Sequence, residues 1–155
     1  TARLQHPGIV PVYRWIEGEG EDWLVMQLVE GCDLHAILHR PGRQRRTKEE
    51  LLAIFERMCE TLAYAHTAKV VHRDVKPENV LVGELGEVYV ADWGLALELD
   101  AEEQEVARPA AETQTGGVTV GPLGTPGYAS AAQARGERVD ARADVHSLGV
   151  TLGEM

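Results

Sequence analysis

Cysteine is scarce in this 155-residue chain: only Cys32 and Cys59 occur, without paired spacing. Two unpaired thiols exclude a disulfide-stapled scaffold and point to a reducing compartment, hence a cytoplasmic setting. Basic charge is also short, with 15 Lys and Arg against 25 Asp and Glu, a net charge of −10. The deficit is concentrated in residues 81–155, which hold 4 basic and 13 acidic side chains. Such a half repels phosphate backbones, so no nucleic-acid partner is expected. Solubility accounts for the acidic surface, with basic peptides as the other reading. Long apolar runs are missing too. The longest uncharged stretch, residues 113–134, carries five glycines, two prolines and four threonines, which is loop composition and not a membrane helix. No signal peptide and no internal repeat are visible. What is present is an apolar fraction of 44%, near the globular average and enough for one domain of ordinary size. The chain opens on Thr1 and closes in the middle of an apolar pattern, so both ends are expected to be cuts.

Along the chain, residues 10–16 and 23–29 are β-prone and flank a charged, glycine-containing turn, the pattern of an antiparallel hairpin. A short helix is expected over residues 33–39, stopped by Pro41-Gly42. Thr47 and Glu50 have the spacing of a capping box, and Leu51, Ile54, Phe55, Met58, Leu62 and Ala65 then recur at helical spacing. A short strand is expected at Val70-Val71, and a second small hairpin over residues 80–82 and 88–91. Residues 97–124 read as a long loop, and residues 148–152 as the opening of a helix.

The chemistry lies in His72-Arg73-Asp74-Val75-Lys76-Pro77-Glu78-Asn79, followed by Asp92-Trp93-Gly94. This pair resembles the catalytic loop and metal-binding motif of eukaryotic-type Ser/Thr protein kinases. Gly124-Thr125-Pro126-Gly127-Tyr128 is similar to the family's acceptor-holding loop, residues 144–150 to its next helix start, and His6-Pro7-Gly8-Ile9-Val10 to the entry of the fourth strand. The resemblance is in order and spans the chain. It implies an α+β, kinase-like fold in part: residues 1–29 from the smaller lobe and hinge, residues 30–155 from the larger lobe.

It also implies ATP and Mg²⁺ as cofactors and a protein Ser or Thr hydroxyl as acceptor. Phosphoryl transfer asks the protein mainly for positioning and charge neutralisation. Asp74 suits the task of accepting the hydroxyl proton, and Lys76 that of placing an ammonium on the γ-phosphate. Asn79 and Asp92 offer the hard oxygens that Mg²⁺ prefers. By the same resemblance Met26 is the gatekeeper, Gln27-Leu28-Val29 the hinge backbone that meets adenine, and Leu81 the floor beneath it. Asp33 has two equal readings, a ribose contact and a helix cap. His72, Trp93 and Val12 match the family's internal hydrophobic stack. Arg73 matches the arginine that receives a phosphorylated activation loop, for which Thr119 is the first candidate and Thr115 and Thr113 the next. Lys76 and the Gly124-Thr125 pair favour Ser/Thr over Tyr as acceptor. Outside these motifs, His35 and His39 read as a solvated helix face and Cys32 as inert.

Three departures stand out. The Gly-rich loop, the β3 lysine and the αC glutamate are not in the sequence, so this chain alone is expected to be inactive. Ala131-Ala132 replaces the family's Pro-Glu, and Trp93 replaces Phe. The runner-up readings are a pseudokinase or scaffold and a small-molecule phosphotransferase of related fold. A membrane anchor elsewhere in the parent protein is compatible with all three.

Overall fold

The structure is a computed structural model that describes residues 4–18, 21–40, 46–99 and 123–155. Thr113, Thr115 and Thr119 lie outside the described residues. Two compact units emerge, the first drawn from Thr1–Thr61 and Pro77–Ala91, the second from Leu62–Lys76 and Asp92–Glu154.

In the first unit β1 (Val12–Ile16) and β2 (Trp23–Met26) form the expected hairpin, with Trp15 opposite Leu24 and Ile16 opposite Trp23. It is shorter than the apolar pattern suggests, and both strands are exposed along their length. Val12, expected in a buried stack, is 50% exposed. A two-stranded ribbon has no second layer of its own to cover it.

A second sheet has the antiparallel order β3 (Gly31–Asp33), β5 (Val80–Gly83), β6 (Val88–Val90). Asp33 ends β3 and caps α1 (Leu34–Leu38), its carboxylate accepting the Ala36 N–H at 2.6 Å. Leu34 and Ile37, three apart on that helix, are buried. α2 (Lys48–Thr67) opens on the predicted capping box: the Glu50 N–H donates to the Thr47 hydroxyl, and the Thr47 N–H to the Glu50 carboxylate at 2.8 Å. Leu51, Ile54, Met58, Leu62 and Ala65 are buried as the periodicity requires, and Phe55 is half-buried. Gly8 is needed where it stands, because a Cβ there would lie 2.0 Å from the Thr61 hydroxyl oxygen. That close approach lets the Gly8 carbonyl accept the Val90 N–H at 2.7 Å and Ile9 bridge to Val90.

In the second unit β4 (Val70–Val71) pairs antiparallel with β7 (Leu97–Glu98), so residues 97–98 are strand and not the loop their weak periodicity suggests. Leu99 extends the pairing by donating to the Lys69 carbonyl at 2.8 Å. α3 (Ala131–Ala134) is a single turn capped by Ser130. α4 (Ala141–Glu154) begins well before residue 148, where the apolar pattern opens, and near residue 144, where the family resemblance puts a helix start. Its start is fixed by Asp140, whose carboxylate accepts the Arg142 N–H at 2.9 Å. Its buried face runs through Ala143, Asp144, Ser147, Leu148 and Thr151, and the polar members hide it from apolar counting. Among the described residues no helix is long and apolar enough to cross a membrane.

Candidate active site

β4 delivers the chain into the motif at His72. The imidazole is fully buried, and its ring lies 4.5 Å from that of Trp93, so two of the three predicted stack members do meet. Arg73 follows with φ +69°, a left-handed conformation that side chains disfavour. Asp144 on α4 holds this turn in place. The carboxylate, with no exposed surface, accepts the His72 N–H and the Arg73 N–H, each at 2.8 Å, and pairs with His66 Nε2 at 2.7 Å. The sequence marked Asp144 only as a helix position, since a hydrogen bond spanning seventy residues leaves no local signal.

Asp74 comes next, 8% exposed. One carboxylate oxygen accepts the Thr125 hydroxyl at 2.8 Å and the Thr125 N–H at 2.9 Å; the other faces Lys76 Nζ at 3.0 Å. Lys76 also donates to the Thr125 hydroxyl oxygen at 2.6 Å. A hydroxyl thus bridges the carboxylate and the ammonium, giving its proton to one and its lone pair to the other. Burial raises the Asp74 pKa, but the Thr125 and Lys76 hydrogen bonds and the ammonium charge outweigh it and hold the carboxyl below its usual value. Asp74 is therefore ionised at neutral pH and accepts the Thr125 hydroxyl as a carboxylate.

Asp92 also sits in the left-handed region, at φ +57°. Its Oδ1 accepts the Gly94 N–H at 3.4 Å, and the carboxylate is solvent-exposed. Asn79 is buried at the end of a 3-10 turn, and its backbone carbonyl accepts the Ala91 N–H at 2.8 Å. Asp33 serves as a cap, one of its two predicted readings. Met26 is half-exposed, Leu28 exposed, Val29 and Leu81 half-buried, and Gln27 gives its N–H to the Pro11 carbonyl at 2.9 Å. Arg73 Nε donates to the Leu95 carbonyl at 2.5 Å, and burial lowers the guanidinium pKa while Asp144 raises it.

The model of the protein kinase domain family matches residues 1–155. The chain belongs to that family. It is 37% identical to the serine/threonine-protein kinase PknB of Mycobacterium leprae, an alignment that covers all of this chain and 24% of that protein. It is 39% identical to PknB of Mycolicibacterium smegmatis, again over all of this chain and 24% of the relative. Against PknD of Protochlamydia amoebophila it is 33% identical over all of this chain and 17% of the relative. The chain thus spans about a quarter or less of these kinases' length. The family uses ATP, typically with Mg²⁺.

Within this kinase domain, sequence reasoning passed over Gln133. The Ser-x-x-Gln spacing of a capping box was there to read at Ser130 and Gln133, and both of its hydrogen bonds form. Ser147 was missed as well; its hydroxyl donates to the Tyr128 carbonyl at 2.9 Å and so ties α4 to the segment carrying Thr125. Outside the site, the rings of His35 and His39 stack at 4.1 Å. Cys32, read from the sequence as inert, has Arg40 Nη2 at 3.2 Å from its sulfur, because α1 carries the chain back.

Proposed function

We propose that the protein carrying this chain transfers the γ-phosphoryl of MgATP to a Ser or Thr hydroxyl of a protein. The observation that carries the reading is the hydroxyl held between Asp74 and Lys76. An acceptor hydroxyl needs the same two things, a carboxylate to orient it and a cation beside the oxygen that gains the phosphoryl group. Asp74 is the base and orienting group, and Lys76 the charge partner of the γ-phosphate. Asn79 and Asp92 would hold Mg²⁺, which neutralises phosphate charge when bound. Their donor set fits a hard cation: a side-chain carbonyl oxygen and a carboxylate whose Oδ2 has no partner among the described residues. Gln27 has spent its N–H on Pro11, so its carbonyl and the backbone of Leu28 and Val29 remain for adenine, with Met26 and Leu81 against the ring; Asp33, whose Oδ1 caps α1, has only Oδ2 to offer the ribose. The two free thiols support a cytoplasmic setting for the domain.

Regulation follows the same reading. Thr119 is the activating phosphorylation site, and Arg73 its receiver: Nε is committed to Leu95, which leaves the two terminal guanidinium nitrogens for phosphate.

Two substitutions in the intact protein test the chemistry. Asp74→Asn should leave nucleotide binding nearly intact and lower kcat about 100-fold or more. Asp92→Asn should instead weaken Mg²⁺-dependent nucleotide binding and abolish turnover. Labelled-phosphate transfer to a Ser/Thr acceptor, beside nucleotide titration, separates the two. Equal losses of ATP affinity in both variants would overturn the assignment.

A further inference from the structure

Gln133 is a neutral polar residue with only 2% of its surface exposed, and it follows directly on the Ala131-Ala132 departure. Its side-chain amide is used at both ends. Nε2 donates to the Arg73 carbonyl at 2.6 Å, while Oε1 accepts the Ser130 N–H and the Ser130 hydroxyl, each at 3.1 Å. A backbone carbonyl only accepts and a backbone N–H only donates, so these partners fix which end of the amide points where. No carboxylate could satisfy both. Gly124, at φ +91°, keeps the space open, since a Cβ there would come within 3.0 Å of both the Arg73 oxygen and Gln133 Nε2.

The carbonyl that Gln133 grips belongs to the peptide whose N–H is that of Asp74. That N–H donates to His72 Nδ1 at 3.2 Å, so the peptide plane is held from both sides. The residue before it, Arg73, is in a left-handed conformation that needs outside support. Gln133 also accepts the Leu123 N–H on its backbone oxygen at 3.4 Å, next to the glycine-threonine pair that reaches Asp74. We infer that Gln133 is a positioning residue for Asp74, fixing the 73–74 peptide and tying it to the segment that carries Thr125. The inference rests on the phosphoryl-transfer reading above. It supplies, through one amide, an anchor between the catalytic loop and a segment in which alanines occupy the Pro-Glu positions.

Gln133→Glu in the intact protein is the decisive variant, because it keeps shape and the Ser130 cap but replaces the N–H donor by an acceptor. At neutral pH its kcat should fall about 10- to 100-fold, the scale of a slightly misplaced catalytic group, with KM for ATP changed less than about twofold. Amide exchange at Asp74 and Thr125 should quicken while that of residues 51–65 in α2 stays as in the wild type. As pH falls and the new carboxyl protonates, it can donate to the Arg73 carbonyl, so the deficit against wild type should shrink. Gln133→Ala should show the loss without the recovery. Wild-type kcat and exchange in Gln133→Glu, or a deficit that ignores pH, overturns the inference. If the wild-type protein transfers no phosphate, the functional reading fails, and exchange at Asp74 and Thr125 still decides the role of Gln133.

Discussion

A threonine hydroxyl that donates to Asp74 and accepts from Lys76 cannot be replaced by a methyl without leaving two charged groups short of a partner. Thr125→Val is nearly isosteric, so it isolates the hydrogen bonds from the packing. In the intact protein the variant should lose about 1–3 kcal/mol of stability in denaturant titration, and, on the proposed phosphoryl transfer, kcat by about tenfold or more. Thr125→Ser keeps the hydroxyl and should stay near wild type in both. A Val variant as active and stable as wild type would show that the bridge is incidental. The pH dependence follows from the depressed Asp74 pKa. A carboxyl whose folded pKa lies below its unfolded value contributes stability that is complete above the unfolded value and is lost as pH falls through the folded one. The contribution is therefore flat across neutral pH and disappears only below the ordinary carboxylate range, which acid unfolding of wild type beside Thr125→Val would reveal.

The elements divide into those with local causes and those without. Thr47 and Glu50 set the start of α2 through contacts three residues apart, so the capping box was legible from spacing alone. Thr47→Ala should cost about 1 kcal/mol, read as a shift in the denaturation midpoint without a change in slope. Glu50 carries a lowered pKa, first from the Thr47 N–H and then from Arg46, so its share of the cap persists above the usual carboxylate pKa and fades as pH drops through the lowered one. A Thr47→Ala midpoint identical to wild type would mean that the helix start is held by packing. The hairpins and the stripe from Leu51 to Ala65 were equally legible, since periods of two and of three to four residues are local properties. β7 was not, because two residues become a strand only where β4 is there to pair with them. α4 was read too short because Asp144, Ser147 and Thr151 face inward as polar groups. The residues from His72 to Asn79 were legible as a motif; Gln133 and Asp144, which hydrogen-bond its backbone, act across long sequence separations.

At the scale of the whole chain the net charge of −10 is the governing quantity. Most of it comes from residues 81–155, the part of the sequence that also contains Asp92 and Thr125. A surface of one sign raises the local concentration of oppositely charged partners and lowers that of like-charged ones. If the intact protein transfers phosphate as proposed and shares this charge balance, acceptor peptides with Arg or Lys around the Ser or Thr should have a lower KM than neutral ones of the same length, by about two- to tenfold at low salt. Screening sets the test. The Debye length falls from about 10 Å at 0.1 M salt to about 3 Å at 1 M, so the advantage of the basic peptide should shrink across that range while kcat for the neutral peptide changes little. The same field opposes nucleic acid, and duplex DNA at low salt should neither be retained nor compete with the basic peptide. A KM gap that survives high salt would place peptide recognition in specific contacts, and DNA competition would show a basic patch that the sequence balance conceals.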